Sequence, residues 1–259
     1  MSLPRVRIAG IGLWFDGLPG WDAACAYARH GSLAEGAPRR PAPQLLAANE
    51  RRRAPETVAV ALEVALAACQ SAAAEPSQVA SVFASANGEM SITDYMCQTL
   101  ATEPASLSPT RFHNSVHNAA AGYWTIGAGT HAPATAISAG PYSFAQGLVE
   151  ALAQLADDQQ QVLLVGYDGN ASGPLGQLVP SHGLLGAALL LRRDGPGIGL
   201  QAGWQPRAAS ITPGPLQQRA AGNAGAAMLP LFDALALGHA HTCLAAGPAQ
   251  HLELWLQHD

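Results

Sequence analysis

The chain contains no lysine, and all 13 of its basic residues are arginine. This excludes a Schiff-base lysine, the lysine of a phosphate-binding Walker loop and a lysine general base. Charged residues make up 12% of the chain, and the formal net charge is −5. The run Arg51 to Arg53 predicts only the solvated start of a helix. A nucleic-acid partner is not expected, because such partners require clustered basic residues that displace counterions.

Cysteines and metal ligands are sparse too. The four cysteines form no CxxC pair and predict neither a zinc site nor a disulfide framework: Cys25, Cys69, Cys97 and Cys243. We interpret them as reduced thiols, mostly in the core, of a cytoplasmic protein. His113 and His117 have a spacing that a metal could use on a helix, but no third ligand accompanies them. The sequence therefore predicts no metal and no cofactor.

No charged residue occurs between Arg111 and Glu150. So long an uncharged segment predicts burial in the core or in an interface. Frequent glycine, asparagine and proline residues argue against a membrane span there. The apolar run at the N-terminus is interrupted by Gly10, Gly12 and Asp16, which favours a buried strand over a signal peptide.

Alternating apolar strands and helices predict an α/β fold whose sheet is covered on both faces. Predicted helices include 19–28, 55–72, 90–101, 113–127, 142–156 and one around 222–237. Predicted strands cover 6–15, 78–85, 134–139, 161–167, 182–193 and 198–204, followed by a terminal strand pair. Strand 198–204 is expected to pair antiparallel with strand 182–193.

The segment "ATAISAGPYSFAQGLVEAL" has the pattern of a nucleophile elbow, in which a strand, a tight turn and a helix follow each other. Its "AISAG" nearly matches the G-x-S-x-G motif of serine hydrolases. One hypothesis is therefore an α/β serine hydrolase or acyltransferase, with Ser138 as nucleophile, Asp168 as orienting acid and His239 or His241 as base.

A second hypothesis rests on family resemblance. Residues 107–168 resemble the N-terminal half of a β-ketoacyl synthase, and residues 1–200 do so more loosely. Ser108-Pro109, Asn118, Ala121-Gly122, Ala132-Pro133 and the strand "VLLVGYD" match the family's landmarks without a gap. The resemblance implies a thiolase-like α/β fold in one domain, 1–259. In it, 1–204 form the βαβαβαββ N-terminal half and 205–259 a short remnant of the C-terminal half.

In this register the family's catalytic cysteine falls on Pro141, so the resemblance implies an elbow without a nucleophile. Ser143 is assigned a structural role, and Asn118 is expected to cap or bridge the backbone near the elbow. The family's "HGTGT" motif and its lysine are also absent. The chain is thus similar to chain-length factors, the non-catalytic partners of ketosynthases, and most similar to the truncated form found in clusters for aryl polyene and xanthomonadin-type pigments.

This resemblance implies a heterodimer with a catalytic ketosynthase, indirect contact with an acyl carrier protein, and a homodimer as an alternative assembly of the isolated chain. The interface would centre on the strand before the elbow: Ala134, Thr135, Ala136, Ile137 and Ser138. Six residues are expected to line or gate an acyl tunnel shared with the partner: Met96, Arg111, Phe112, Asn114, Ser115 and Tyr142.

Overall fold

The computed structural model describes residues 3–258, and within them a single mixed sheet organises the fold. Its strands are β1 Val6–Phe15, β2 Ala80–Ala84, β3 Ala134–Ile137, β4 Gln161–Asp168, β5 Leu185–Arg192, β6 Ile198–Gln205, β7 His241–Gly247 and β8 Gln250–Gln257. The helices are α1 Trp21–His30, α2 Ala48–Arg51, α3 Glu56–Ser71, α4 Met90–Thr102, α5 Pro109–Asn114, α6 Ala119–Ala128, α7 Ser143–Ala156, α8 Gly173–Leu178, α9 Pro215–Arg219 and α10 Leu229–Leu237.

The strands lie in the order β3-β2-β4-β5-β1-β6-β8-β7. Strands β3, β2 and β4 are parallel, and the remaining neighbours are antiparallel. The sheet has a first part, β3-β2-β4-β5-β1, and a second part, β6-β8-β7. The two parts are joined by few residues, because β1 pairs with β6 only through Val6, Arg7 and Ile8, just before an irregularity between Ile8 and Gly10. The sheet can turn at this point, because so few ladder bonds hold the two parts in line.

Helices cover both faces of the first part of the sheet, as the sequence predicts. On one face, α3 and α6 pack over β2, β4 and β5. On the other face, α7 packs against β2 and β4 and also reaches β7, where the side-chain amide of Gln146 donates to the carbonyl oxygen of Ala246 at 2.6 Å. Helix α7 therefore lies between the two parts of the sheet.

The close packing of α7 depends on Gly147. A Cβ at this position would lie 2.9 Å from the Cδ1 of Leu164 and 3.1 Å from the Cβ of Ala84. Both distances are shorter than ordinary van der Waals contact, so a larger residue would push α7 away from β2 and β4.

The structure corrects the helix predicted over 113–127, which is two helices. Helix α5 ends at Asn114 and α6 begins at Ala119. His113 and His117 therefore do not share a helix face: the His113 ring lies 6.0 Å from that of Tyr123, and Nε2 of His117 donates to the carbonyl oxygen of Ser85. Asn118 occupies the N-cap position of α6, but its side chain makes no capping hydrogen bond, so the capping alternative is wrong.

The predicted partner of β6 was also wrong. Instead of pairing with β5, β6 pairs with β1 and β8, because β1 lies between β5 and β6 in the sheet. The segment predicted as helix within 222–237 is a 3-10 turn at Ala224–Met228 followed by α10. The predicted terminal strand pair is confirmed as the antiparallel pair β7 and β8. No helix among residues 3–258 is both long and apolar enough to cross a membrane.

Candidate functional site

The predicted elbow is present between β3 and α7. Gly140 has φ +55°, a left-handed conformation that glycine adopts at little cost. The N–H of Tyr142 donates to the carbonyl oxygen of Ala139 at 3.2 Å and closes the turn. Pro141 is exposed at the tip, and α7 begins two residues later at Ser143. The turn thus presents the proline ring where the resemblance places a catalytic thiol.

The side chain of Ser143 stabilises the turn through hydrogen bonds. Its buried hydroxyl oxygen accepts the N–H of Ala139 at 2.9 Å, and the hydroxyl lies 2.7 Å from the carbonyl oxygen of Gly140 and 3.2 Å from that of Ser85. All of these partners are backbone atoms of the elbow or of the segment after β2. Such contacts suit the structural role predicted for Ser143.

No cysteine lies at the elbow. Cys69 is buried in α3, Cys25 in α1 and Cys243 in β7 are half-buried, and Cys97 in α4 is exposed, so the prediction that most of them are core holds only for Cys69. All four are free thiols, as expected. Burial raises the pKa of the Cys25, Cys69 and Cys243 thiols, which disfavours the reactive thiolate.

The cavity directly behind the elbow is very small. It is bounded by Pro141, Phe144, Tyr167 and Met228 among others, and its volume is about 10 Å³. This is no more than a single water molecule requires. An acyl chain has no room there in this conformation of the chain.

Asp168, at the end of β4, anchors the segment that follows β2. Its carboxylate accepts the hydroxyl of Ser85 at 2.9 Å and the N–H groups of Ala86 and Asn87, each at 3.0 Å. The side chain is only 2% exposed. Burial raises the pKa of Asp168 to about 6, and these hydrogen bonds and the nearby His117 limit the rise. The sequence did not indicate this anchoring role, although the ends of adjacent parallel strands always meet at one edge of a sheet.

The hydrolase hypothesis fails on these contacts. The Ser138 hydroxyl donates to the carbonyl oxygen of Ala86 at 3.2 Å, and no hydrogen bond among residues 3–258 joins Asp168 to His239 or His241. The Nε2 of His241 lies 2.6 Å from the Oε1 of Glu253 instead. A serine nucleophile requires a base within hydrogen-bond reach and an acid that orients the base, and this arrangement is not formed.

Strand β3 lies at an edge of the sheet. Its one neighbour among the described strands is β2, so its outer row of backbone N–H and C=O groups has no partner strand. Ala134 and Ser138 are exposed, and Thr135, Ala136 and Ile137 are half-buried. An uncharged edge strand of this kind is a template for pairing with a second chain.

Large apolar side chains are exposed on the neighbouring helices of the uncharged segment. Phe112 in α5 is 62% exposed and Ile126 in α6 is 75% exposed; Val116 lies between the two helices and is also exposed. A cavity of about 430 Å³ opens beside them and is lined by Val116, Tyr123 and Ile126 among others. The burial predicted for this segment is therefore incomplete within one chain.

The six predicted tunnel residues occupy different surroundings. Met96 is buried, Tyr142 is half-buried at the start of α7, and the hydroxyl of Ser115 donates to the carbonyl oxygen of Phe112 at 2.8 Å. Arg111 and Asn114 line a separate cavity of about 750 Å³. The chain alone does not bring the six together around one channel.

Comparisons with known proteins agree on the fold. The family model described as "Beta-ketoacyl synthase, N-terminal domain" matches residues 23–251. No curated protein matches the chain. A solved complex of the ketosynthase ApeO with its chain length factor ApeC, from Xenorhabdus doucetiae, is similar with a TM-score of 0.75 and 23% identity, covering 98% of this chain and 99% of that chain.

Two further solved structures are similar at lower identity. The ishigamide ketosynthase/chain length factor has a TM-score of 0.74 and 14% identity, covering 98% of this chain and 99% of that chain. A β-ketoacyl synthase from Burkholderia phymatum STM815 has a TM-score of 0.62 and 16% identity, covering 90% of this chain and 71% of that chain. At these identities the likeness establishes the fold alone, which is the thiolase-like α/β fold that the sequence predicts.

Proposed function

The chain belongs to the β-ketoacyl synthase N-terminal domain family, and from that premise we propose that it is a non-catalytic chain-length factor. It pairs with a catalytic ketosynthase and shapes the acyl tunnel of that partner. The proposed setting is chain elongation of the polyketide or fatty-acid type, with an aryl polyene pigment as the product.

The observation that carries the proposal is the elbow. Its strand, turn and helix are in place, yet Pro141 stands at the tip, and the cavity behind the turn has a volume of about 10 Å³. A ketosynthase reaction needs a nucleophile that accepts the acyl group and space for the chain. Since the elbow offers neither, the contribution of this chain is to the shape of a partner's site.

The second support is the uncovered surface. The edge of β3 and the exposed Phe112, Val116 and Ile126 lie in the uncharged segment, where a partner strand and an apolar partner surface would cover them. A stable partner would bury on the order of 1,200 Å² or more in total. The similar structures from Xenorhabdus doucetiae and of the ishigamide system are pairs of a ketosynthase and a chain length factor. A homodimer through the same edge is the competing assembly.

The acyl tunnel is proposed to form only when the partner is present. Phe112 is exposed, and Ser115 and Tyr142 are half-buried, so all three have surface that a chain bound in the partner could contact. Met96, Arg111 and Asn114 complete the proposed set of lining and gating residues. The acyl carrier protein is contacted through the partner.

Co-expression tests the proposal. The chain should co-purify with a candidate ketosynthase as a one-to-one complex, and carrier-bound polyene should form only when both subunits are present. Replacing the catalytic cysteine of the partner should abolish synthesis, because this chain supplies no nucleophile. Synthesis of equal length and amount by the ketosynthase alone would contradict the proposal.

A further inference from the structure

The chain segment between β6 and α9, residues 206–214, which we call the strap, lies against β8. The leucines of β8 point into the core, so His251 and Glu253, at the alternate positions, point to the opposite face of the sheet, where the strap lies. Residues 206–213 form no backbone–backbone hydrogen bond with any other residue that the structure describes. Side-chain contacts must therefore hold the strap against the sheet.

Both ends of the strap are fixed. Gln205, which precedes it, pairs with His251 in the register of β6 and β8. Asp233 of α10 accepts two backbone N–H groups at the start of α9, and Gln218 of α9 donates to the carbonyl oxygen of Pro213 at 2.7 Å. The middle of the strap can consequently move away from the sheet without unfolding of the strand and the helix that it joins.

His251 of β8 contacts the middle of the strap. Its Nδ1 lies 2.8 Å from the carbonyl oxygen of Arg207, and its Nε2 lies 3.4 Å from the Oε2 of Glu253. With the strap in place, the His251 side chain is only 3% exposed. A carbonyl oxygen and an ionised carboxylate can only accept hydrogen bonds, so both ring nitrogens must carry a proton for both contacts to form. Either neutral tautomer would turn a nitrogen lone pair towards an acceptor.

The other charged and titratable groups around His251 belong to the strap, β7 and β8. The Nε2 of His241 lies 2.6 Å from the Oε1 of Glu253, and the Arg207 guanidinium lies 3.8 Å from its Oε2. Desolvation raises the pKa of Glu253, but hydrogen bonds from the two histidines outweigh it, so the pKa lies below its ordinary value. Cys243 on β7 pairs with Glu253, and Arg207 influences the pKa of its thiol. Glu253 is therefore an anion throughout the pH range in which histidine titrates.

We propose that His251 is a proton-dependent switch that holds the strap closed. In the protonated imidazole, one N–H donates to the carbonyl oxygen of Arg207 and the other to Glu253. When the pH rises and one proton leaves to water, a lone pair faces an acceptor at one of these contacts, and the strap opens. Opening uncovers the outer face of β7 and β8, including Cys243. These strands lie at the end of the sheet opposite to β3, so the switch does not depend on the proposed partner role.

Limited proteolysis of the full-length chain with trypsin tests the switch. Trypsin cleaves after arginine, so opening of the strap makes the bond between Arg207 and Ala208 accessible. Cleavage after Arg39, in an exposed loop, is the internal reference that cancels the pH dependence of the protease itself. The ratio of cleavage after Arg207 to cleavage after Arg39 should rise about tenfold or more between about pH 6 and about pH 8.5, because a hydrogen bond to a charged group is lost.

Two variants should remove the pH dependence in opposite directions. His251→Leu lacks both contacts, so the ratio should be high at every pH. Glu253→Gln replaces an acceptor by an amide that can donate to the neutral Nε2 of His251, so the ratio should stay low at about pH 8.5. His131→Leu makes the first substitution at an exposed histidine before β3 and should retain the wild-type behaviour. If His251→Leu does not fold, Glu253→Gln still tests the proposal.

Nitrogen-15 NMR of the histidine side chains reports the protonation state directly. The signals of His251, identified by their loss in His251→Leu or by their shift in Glu253→Gln, should show a proton on both ring nitrogens at about pH 6 and on one at about pH 8.5. Four results would each overturn the proposal: a constant cleavage ratio in the wild type, wild-type pH dependence in His251→Leu or Glu253→Gln, loss of that dependence in His131→Leu, or a His251 ring that carries one proton throughout.

Discussion

The hydroxyl of Ser85 donates to the carboxylate of Asp168 at 2.9 Å, which ties the end of β2 to the end of the adjacent parallel strand β4. The segment after β2 also accepts hydrogen bonds from Ser138 and His117 through the carbonyl oxygens of Ala86 and Ser85. The buried carboxylate of Asp168 therefore positions residues 85–87. Ser138 of the elbow and His117 before α6 are hydrogen-bonded to this segment.

The first prediction concerns the pH dependence of stability. Burial raises the pKa of Asp168 to about 6 from its ordinary value of 3.8. The folded state then binds this proton more tightly than the unfolded state, so the favourable contribution is complete below about pH 4 and is lost as the pH rises through 6. The loss is roughly 3 kcal/mol at pH 7. Urea unfolding of wild type and Asp168→Asn between pH 4 and 7 measures it.

Asp168→Asn should remove this part of the pH dependence. It should also lower stability at every pH, because one amide oxygen cannot accept all three donors from Ser85, Ala86 and Asn87. Asp194→Asn makes the same change at an exposed position and should leave the wild-type profile unaltered. A wild-type pH profile in Asp168→Asn would show that another group titrates.

The second prediction is that the purified chain forms no thioester with acyl donors. Pro141 occupies the elbow tip, and burial raises the pKa of three of the four thiols. Intact-protein mass spectrometry after incubation with acyl carrier substrates should show the unmodified mass. A fluorophosphonate should not label Ser138, whose hydroxyl has no histidine partner. A stoichiometric acyl adduct on any cysteine would contradict the proposed role.

Pro141→Cys separates the missing nucleophile from the rest of the chemistry. This variant places a thiol before α7, where the helix dipole lowers thiol pKa values. Condensed product should still be absent, since the sequence has neither the HGTGT motif nor the lysine that the family resemblance associates with decarboxylation of a malonyl group.

The third prediction tests the edge of β3. Ala136→Asp places a charge in the proposed interface, which a partner strand would leave unpaired and poorly solvated. The ketosynthase complex, or a homodimer of the isolated chain, should dissociate in size-exclusion chromatography with light scattering. Ala240→Asp makes the same substitution at an exposed loop position before β7, at the other edge of the sheet, and should assemble normally. An Ala136→Asp complex that elutes unchanged would place the interface elsewhere.

The fourth prediction concerns product length. Ser115→Phe adds a ring near the proposed tunnel, where overpacking costs about 1–3 kcal/mol and disfavours the longest intermediates several-fold or more. Shorter chains should accumulate on the carrier, as seen by mass spectrometry at equal heterodimer yield. Ser106→Phe, at an exposed position in the turn before α5, is the matched control. If the product lengths are unchanged in both Ser115→Phe and Phe112→Ala, this protein stabilises its partner but does not set the product length.

Much of the fold was predictable because it depends on local patterns. The continuous apolar runs of β1, β4 and β5 and the turn at Gly140 are readable from the sequence, and the family resemblance is confirmed. The break between α5 and α6 was not readable, because His117 is held by the backbone of Ser85, 32 residues earlier. The division of the chain at 204/205 stays a prediction.

The hydrogen-bond partners of Asp168 and the neighbouring strands of β6 could not be predicted from the sequence for a different reason. A short connection between β5 and β6 predicts a hairpin, but β1 enters between them from the other end of the chain. Asp168 has the right place in the sequence for a hydrolase acid, and only the assembled sheet shows that backbone N–H groups occupy its carboxylate. Both features depend on long-range pairing, which no local pattern encodes.

The position of β1 also constrains how the protein is made. Ile8 pairs with Leu191, and Val6 pairs with Leu200, so β1 has no strand beside it until β5 and β6, at least 170 residues later, have been synthesised. Until then β1 can pack against α1 and α3, and its apolar residues await β5. Contacts so distant in sequence slow folding and prolong the exposure of unpaired strands. We expect folding to be completed after translation, with a slow phase reporting the insertion of β1 between β5 and β6.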